Sequence, residues 1–509
     1  MGNNGAARAT KDELGIGARW PIMVALVLAV LVIMLDNSVL NVALPSIGTS
    51  LHAGTAELQW VVMAYSLTFG GLLMTTGNLA DRLGRKRVLA VGLAVMAAGS
   101  ALVLVADSAV ELVLVRALVG VGAALAMPST LSLNYVIFSG PIRTKAIGIW
   151  GAASMSGVVL GPLIAGLMLT RLSWHWLFLL NIPVAAVAIP LVLSVVPESK
   201  EATGERADVP GALLSVGFLA ALIYGISSGP DHGWLSAPVL GALVAAAVLL
   251  ALFCWRELAA AQPMLDLRMV ATRAFAVPAV VEGAAFLVLA AVMFMQTQLV
   301  QLVLGYSAFV TGLLTLPVIG AMVVVNGPLA KLSLRVPARY LIAGGLAIVG
   351  AGAALVALAP TSVWAIVAGS AVLAVGVRAA LTTVAIEVIN ALPKERAGIG
   401  SALNDTFQEI GGVLGVALLG ALLNQAYQSA MPAAAPAPVR ASVVGALTDP
   451  AWAELGRQAF AHGATVALGV GAVLMLLVGV AAALLHRPAP GDGWVTASVT
   501  EPDAQPSAG

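Results

Sequence analysis

The chain has 509 residues, of which 60% are hydrophobic and 10% charged, and its mean hydropathy is +1.00. Soluble domains carry about 25% charged residues, so the composition excludes a water-soluble globular protein and fits a chain that crosses the bilayer many times. A net charge of +1 gives no footprint for nucleic acid, and the single cysteine, Cys254, excludes an intrachain disulfide.

Residues 1–19 read as a polar cytoplasmic tail. The apolar run that opens near Trp20 is too long for a signal-peptide core and reads as a retained membrane helix. Runs of about 20 residues each mark one crossing. Fourteen such runs are centred near residues 32, 68, 97, 124, 158, 187, 220, 246, 288, 318, 349, 376, 412 and 474. With the N-terminus in the cytoplasm, 20 of the 25 basic residues fall in cytoplasmic segments. Three (Arg171, Arg440, Arg457) fall outside, and two (Arg116, Arg378) fall within helices. This positive-inside bias fixes the orientation, with both termini cytoplasmic, and supports the count, because one missed span would invert every later loop.

Internal similarity divides the chain. GVVLGPLIAG at 157–166 shares five of ten residues with GGVLGVALLG at 411–420, an offset of 254, and GNLADRLGRK at 77–86 has a worn copy in GPLAKLSLRV at 327–336, an offset of 250. Two matches at nearly one offset predict a duplication. The expected plan is an all-α membrane protein with a six-helix half over 20–197 and a second over 274–486. Between them lies a linker, 198–273, holding two extra helices at about 210–230 and 235–257. An external loop is expected at about 428–460, its Ala/Pro-rich start irregular and its DPAWAELGRQAFA stretch a short helix capped by Asp449. Residues 487–509 read as a disordered cytoplasmic tail.

Two motifs suggest devices. In GNLADRLGRK, Gly77 and Gly84 permit close backbone approach, and Asp81 can accept from Arg85 or a neighbouring helix end. A bare topology signal needs neither glycines nor an aspartate, so this loop is expected to act as a cytoplasmic gate. In GVVLGPLIAG, the small residues Gly157, Gly161 and Gly166 let helices touch, and Pro162 removes a backbone donor and can kink its helix. No phosphate-binding GxxxxGK[ST] occurs, no Cys/His cluster suggests a metal, and no convincing nucleophile–base set suggests an enzyme. No cofactor is expected.

The charges inside apolar runs are the remaining clue, since a mid-bilayer charge costs roughly 2.5–3.5 kcal/mol even on insertion scales. Asp36 in the first run and Arg116 in the fourth fall at similar depth, so an ion pair between them is geometrically possible. Glu282, Arg378, Glu387, Asp405 and Glu409 lie in later runs, Glu409 nearest the midplane. A carboxylate removed from water tends to hold its proton and to release it on rehydration, and a lipophilic cation neutralises the same charge. Asp36, Arg116, Glu409, Glu282, Glu387 and Arg378 are therefore the candidates for proton or cation coupling. Met63, Tyr65, Phe286, Met293, Phe294, Met295, Gln298 and Asp405 are candidates for an adaptable substrate cavity.

GNLADRLGRKRVL resembles the loop signature of the major facilitator superfamily, and RALVGVGAA its arginine-bearing fourth-helix motif. GVVLGPLIAG is similar to the Gly-Pro motif of its antiporters. LDNSVLNVALP, WHWLFLLNIP and LGYSAFVTGLLTLP look like the fourteen-helix drug:proton antiporters, bacterial pumps for multiple drugs, quaternary ammonium compounds and fluoroquinolones. The departures are Val119 where Gln is common, His175 where Arg is usual, and Lys331 where the first half has Asp81. The resemblance implies a monomeric, proton-coupled exporter of lipophilic, often cationic small molecules in the bacterial cell membrane. A narrow exporter of one antibiotic or metabolite is the alternative, and a proton-coupled importer the more distant one.

Overall fold

The computed structural model describes residues 20–200, 208–260, 265, 267–333, 335–391 and 397–485, at 269, 274, 385–391 and 397–402 for the backbone only. The expected tails at 1–19 and 487–509 lie outside these residues. Fourteen helices are long and apolar enough to cross a membrane, and among the described residues there is no strand. They are α1 (Trp20–Leu51), α2 (Thr55–Leu83), α3 (Arg85–Leu102), α4 (Ala109–Ile137) and α5 (Gly140–Met168); α6 (His175–Val195); and α7 (Val209–His232) and α8 (Ala237–Ala259). The second half has α9 (Arg273–Gln298, running into a π-helical turn over Leu299–Val303), α10 (Ala308–Leu332), α11 (Ala338–Leu358), α12 (Val363–Ala391), α13 (Ala397–Ala430) and α14 (Pro450–Leu485).

Polar starts punctuate the apolar runs. Ser108 and Glu111 close a reciprocal box at the start of α4, Ser108 Oγ accepting from the Glu111 amide at 3.3 Å and Glu111 Oε2 from the Ser108 amide at 3.2 Å. Ser307 accepts from the Val310 amide to start α10, and Asp208 from the Gly211 amide to start α7. Large apolar side chains such as Val244, Val324 and Leu477 face outward, as lipid-facing helices require.

The two halves repeat one packing scheme. In the first, α2 packs on α4, α3 on α4, α1 on α5 and α6, and α3 on α6. Adding eight to every label gives contacts that the second half also makes: α10–α12, α11–α12, α9–α13, α9–α14 and α11–α14. Even the close crossings correspond. A Cβ on Gly92 would sit 2.7 Å from the Gly122 carbonyl oxygen in α3–α4, and one on Gly352 would sit 2.5 Å from that of Gly369 in α11–α12.

Between the halves run two seams, α2–α13 and α5–α10. In the second seam a Cβ on Gly166 would lie 2.7 Å from the Phe309 Cα, and Gly312 lies against the Pro162 carbonyl. Toward the basic loops, Gly148, Gly151, Gly320 and Gly327 have no neighbour within 4 Å of a built Cβ. Helices α5 and α10 therefore touch through Gly166 and Gly312, at their ends away from the basic loops. The inserted hairpin lies over the other seam, α7 packing on both α2 and α13, with α8 packed on α7.

One stretch differs from expectation. The connection expected at 428–460 is only 431–449, and its Ala/Pro-rich part forms two short helices, Ala437–Ala441 and Val443–Leu447. The DPAW segment is not a separate helix but the first turns of the 36-residue α14. Asp449 does accept from the Ala451 amide at 3.0 Å, but no proline follows Pro450 to end the helix before the last span.

Candidate functional site

Asp36 and Arg116 meet. Arg116 Nη1 donates to Asp36 Oδ2 at 2.5 Å, and both side chains are wholly buried. Asn181, near the start of α6, donates from Nδ2 to Asp36 Oδ1 at 2.6 Å and to Ser100 Oγ at 3.0 Å. The burial cost of the aspartate is thus offset within one half by two other helices, with Ser100 of a third holding Asn181. Arg116 Nε and Nη2 make no hydrogen bond. The guanidinium instead lies 4.6 Å from the Tyr65 ring centroid and 5.7 Å from that of Phe178.

A second cluster joins α9, α13 and α2. Gln408 Nε2 donates to Glu282 Oε1 at 2.7 Å, while Glu282 Oε2 is buried without a partner. Asp405 lies within electrostatic reach of both Glu282 and Glu409, and Ser66 hydrogen-bonds Glu409. Glu409 rests on Gly70, where a Cβ would approach its own Cβ to 2.6 Å. Among the described residues, no arginine or lysine is paired with any of these three carboxylates. Tyr65 feels the charges of Asp36, Arg116 and Glu409 together, so it stands between the two clusters.

The remaining candidates scatter. Arg378 Nε donates to Asn326 Oδ1 at 2.5 Å, apart from both clusters. The Glu387 side chain lies outside the described residues. Met63, Tyr65, Phe294, Met295 and Gln298 are fully buried, whereas Phe286, Met293, Asp405 and Glu409 are half-buried. Gly157 and Gly161 press α5 onto Met34 and Ser38 of α1, and the Ser38 hydroxyl donates to the Gly157 carbonyl at 3.0 Å.

In the loop after α2, Arg85 Nε sits 2.7 Å from Asp81 Oδ1. Gly84 has φ +111°, a region that favours glycine, and a Cβ there would meet the Glu198 carboxylate at 2.5 Å. Glu198 and Ser199, just after α6, hold the start of α3: the Lys86 amide donates to Glu198 Oε1 at 3.2 Å, and the Arg85 amide to the Ser199 carbonyl at 2.9 Å. Gly77 faces Pro128 of α4.

Sequence reasoning passed over Asn181, Ser100, Ser66, Gln408, Glu198 and Ser199. The available signals were an asparagine inside an apolar run, and a Glu-Ser pair directly after one.

The profile of the Major Facilitator Superfamily matches residues 26–416. The chain belongs to that superfamily. It is a multi-pass membrane transport protein, not an enzyme. Its relatives include the multidrug efflux pump LfrA of Mycolicibacterium smegmatis, 35% identical over 415 residues (81% of this chain, 82% of that one). The multidrug resistance protein Stp of Mycobacterium tuberculosis is 33% identical over 403 residues (79% and 75%). The puromycin resistance protein pur8 of Streptomyces alboniger is 33% identical over 501 residues (95% and 94%). Among solved structures, a bacterial homologue of the lysosomal transporter Spinster in an inward-facing, unoccupied conformation has a TM-score of 0.65 at 17% identity, covering 91% of this chain and 96% of its own. The peptide transporter PepTSo has 0.62 at 15% identity, covering 92% and 98%. These two similarities concern the superfamily fold alone.

Proposed function

We propose that the protein exports lipophilic, often cationic drugs from the cytoplasm in exchange for protons, by alternating access between the half over 20–197 and the half over 274–486. The observation that carries this reading is the trio of buried Glu282 and half-buried Asp405 and Glu409, carboxylates with no basic partner among the described residues, on helices that face the other half. Such carboxylates accept a proton or an organic cation, but not both at full strength. The Asp36–Arg116 pair serves as the coupling switch: a proton on Asp36 releases Arg116 from the carboxylate, with the Tyr65 ring packed on the freed guanidinium. The drug-efflux relatives support the direction of transport. The basic face is cytoplasmic, and the membrane is the bacterial cell membrane. Exchange of one proton for one monovalent cation moves no net charge, so the drive is the pH gradient, about 1.4 kcal/mol per unit.

A relative matched over 95% of this chain is a puromycin resistance protein, which favours a second reading, a narrow antibiotic exporter. Proteoliposomes with an imposed pH gradient test both. Drug exchange that collapses with nigericin supports coupling, and exchange unaffected by nigericin refutes it. Transport of tetraphenylphosphonium and ethidium along with puromycin supports breadth, and transport of puromycin alone supports the narrow pump.

A further inference from the structure

The inserted hairpin is fastened to the second half by a polar clasp at the end of α7. Asp231 Oδ1 accepts from Asn424 Nδ2 at 3.1 Å and from Gln428 Nε2 at 2.6 Å, and Trp234 Nε1 donates to Gln425 Oε1 at 3.3 Å. One turn earlier in α7, Ser227 is 1% exposed and its hydroxyl has no partner. Asn424 is 2% exposed with Oδ1 unpartnered. Across the seam, Gln59 of α2 is 1% exposed, both amide atoms are unpartnered, and it lies over Gly420, one turn from Asn424. Four orphaned polar atoms thus collect where α2, α13 and α7 meet, on the face opposite the basic loops.

Buried polar atoms without partners are costly and rare in a settled interface. A cluster of them is accounted for when another state of the molecule brings water or ligand to the same place. The seam joins the two halves that alternate, so it is a place that parts. Three of the four orphans are oxygens, Asp231 adds a carboxylate, and the Trp234 ring stands beside it; no described arginine or lysine bonds to any of them. Acceptors, a negative charge and an indole face suit an organic cation.

We propose that substrate leaves along the α2–α13–α7 seam, and that Gln59, Ser227, Asn424 and Asp231 form an exit subsite for a lipophilic cation, with the inserted hairpin as one wall. This rests on the reading of the protein as a cation exporter.

Single cysteines at Ser227 and Gln59, made in a Cys254→Ser background and checked for a monodisperse full-length product, test the path. A membrane-impermeant methanethiosulfonate is applied in proteoliposomes to the face away from the basic loops. Labelling is expected to rise at least tenfold under a proton gradient and to fall again with saturating tetraphenylphosphonium, relative to a cysteine at lipid-facing Leu313 on α10. Rates that ignore both the gradient and the cation overturn the path. Asp231→Asn keeps an acceptor for Asn424 and Gln428 but removes the charge. It should raise the KM for tetraphenylphosphonium about fivefold and leave that of a neutral substrate unchanged; equal changes overturn the cation subsite. Wild-type protein that moves no cation refutes the exporter reading and the subsite together, while gradient-dependent labelling still reports an opening seam.

Discussion

Asp36 and Arg116 bury opposite charges on α1 and α4, so neither is removed without cost to the other. Breaking such a pair leaves an uncompensated buried charge, worth about 3–5 kcal/mol. Arg116→Gln should therefore lower the melting temperature sharply, and adding Asp36→Asn should recover most of the loss. If Asp36 carries the proton, the restored double variant still moves no drug uphill in proteoliposomes; uphill transport by it sinks the assignment. Glu409 bears on selectivity instead. Glu409→Gln should weaken cationic substrates about tenfold, a change of about 1.4 kcal/mol, and spare neutral ones; equal weakening by competition assays points to coupling. The charged members of these clusters were legible because a charge in an apolar run stands out and depth can be counted along it. Their neutral partners were not. Asn181, Ser100 and Gln408 look like any polar residue until helix rotation turns them toward a carboxylate.

At the scale of elements, the loop between α2 and α3 is held by the segment that follows α6. Gly84 combines a left-handed backbone with a carboxylate in the space where a Cβ would go. Gly84→Ala should cost about 1–3 kcal/mol of local strain and detach Glu198 from the start of α3. Asp81→Asn, which leaves the backbone alone, should slow transport while binding in detergent stays near normal. Stopped-flow transport and equilibrium binding on the two variants check this, and unchanged kinetics in both would leave the loop with topology alone. The connection after α13 was read less well. Alanines and prolines suggested an irregular coil, yet Val439, Val443 and Val444 are buried, the Tyr427 hydroxyl donates to the Val439 carbonyl at 2.7 Å, and Val444 lies against Gly48 of α1. Local composition does not reveal that a loop has a partner surface.

For the whole molecule, two ten-residue matches at nearly one offset were enough to anticipate the duplicated halves, since repeated sequence implies repeated packing. The position of the inserted hairpin was not legible. Nothing in α7 itself shows that Val216 will meet Gly71 of α2, or that this helix will cover one seam and not the other. The open space at Gly148 of α5 and Gly320 of α10 gives a place to measure the cycle directly. Spin labels at Gly148 and Gly320, positions with open space, should move closer when a proton gradient and drug drive the halves through their alternate arrangement. Double electron–electron resonance distances that stay fixed under every condition contradict rocking of the halves.

The glycines that make the two seams have a consequence for the speed of the machine. Gly166 and Gly312 join α5 to α10 against the backbones of Phe309 and Pro162, whereas Gly70 and Gly420 of the α2–α13 seam meet the side chains of Glu409 and Gln59. Closing an interface usually freezes side-chain rotamers, and long side chains lose up to about 2 kcal/mol each in conformational entropy. Glycine has no side chain to freeze at these contacts. Along α5 and α10 the halves can therefore seal backbone to backbone and separate again with little entropy lost or regained in either direction, which keeps the sealed arrangement from becoming a trap.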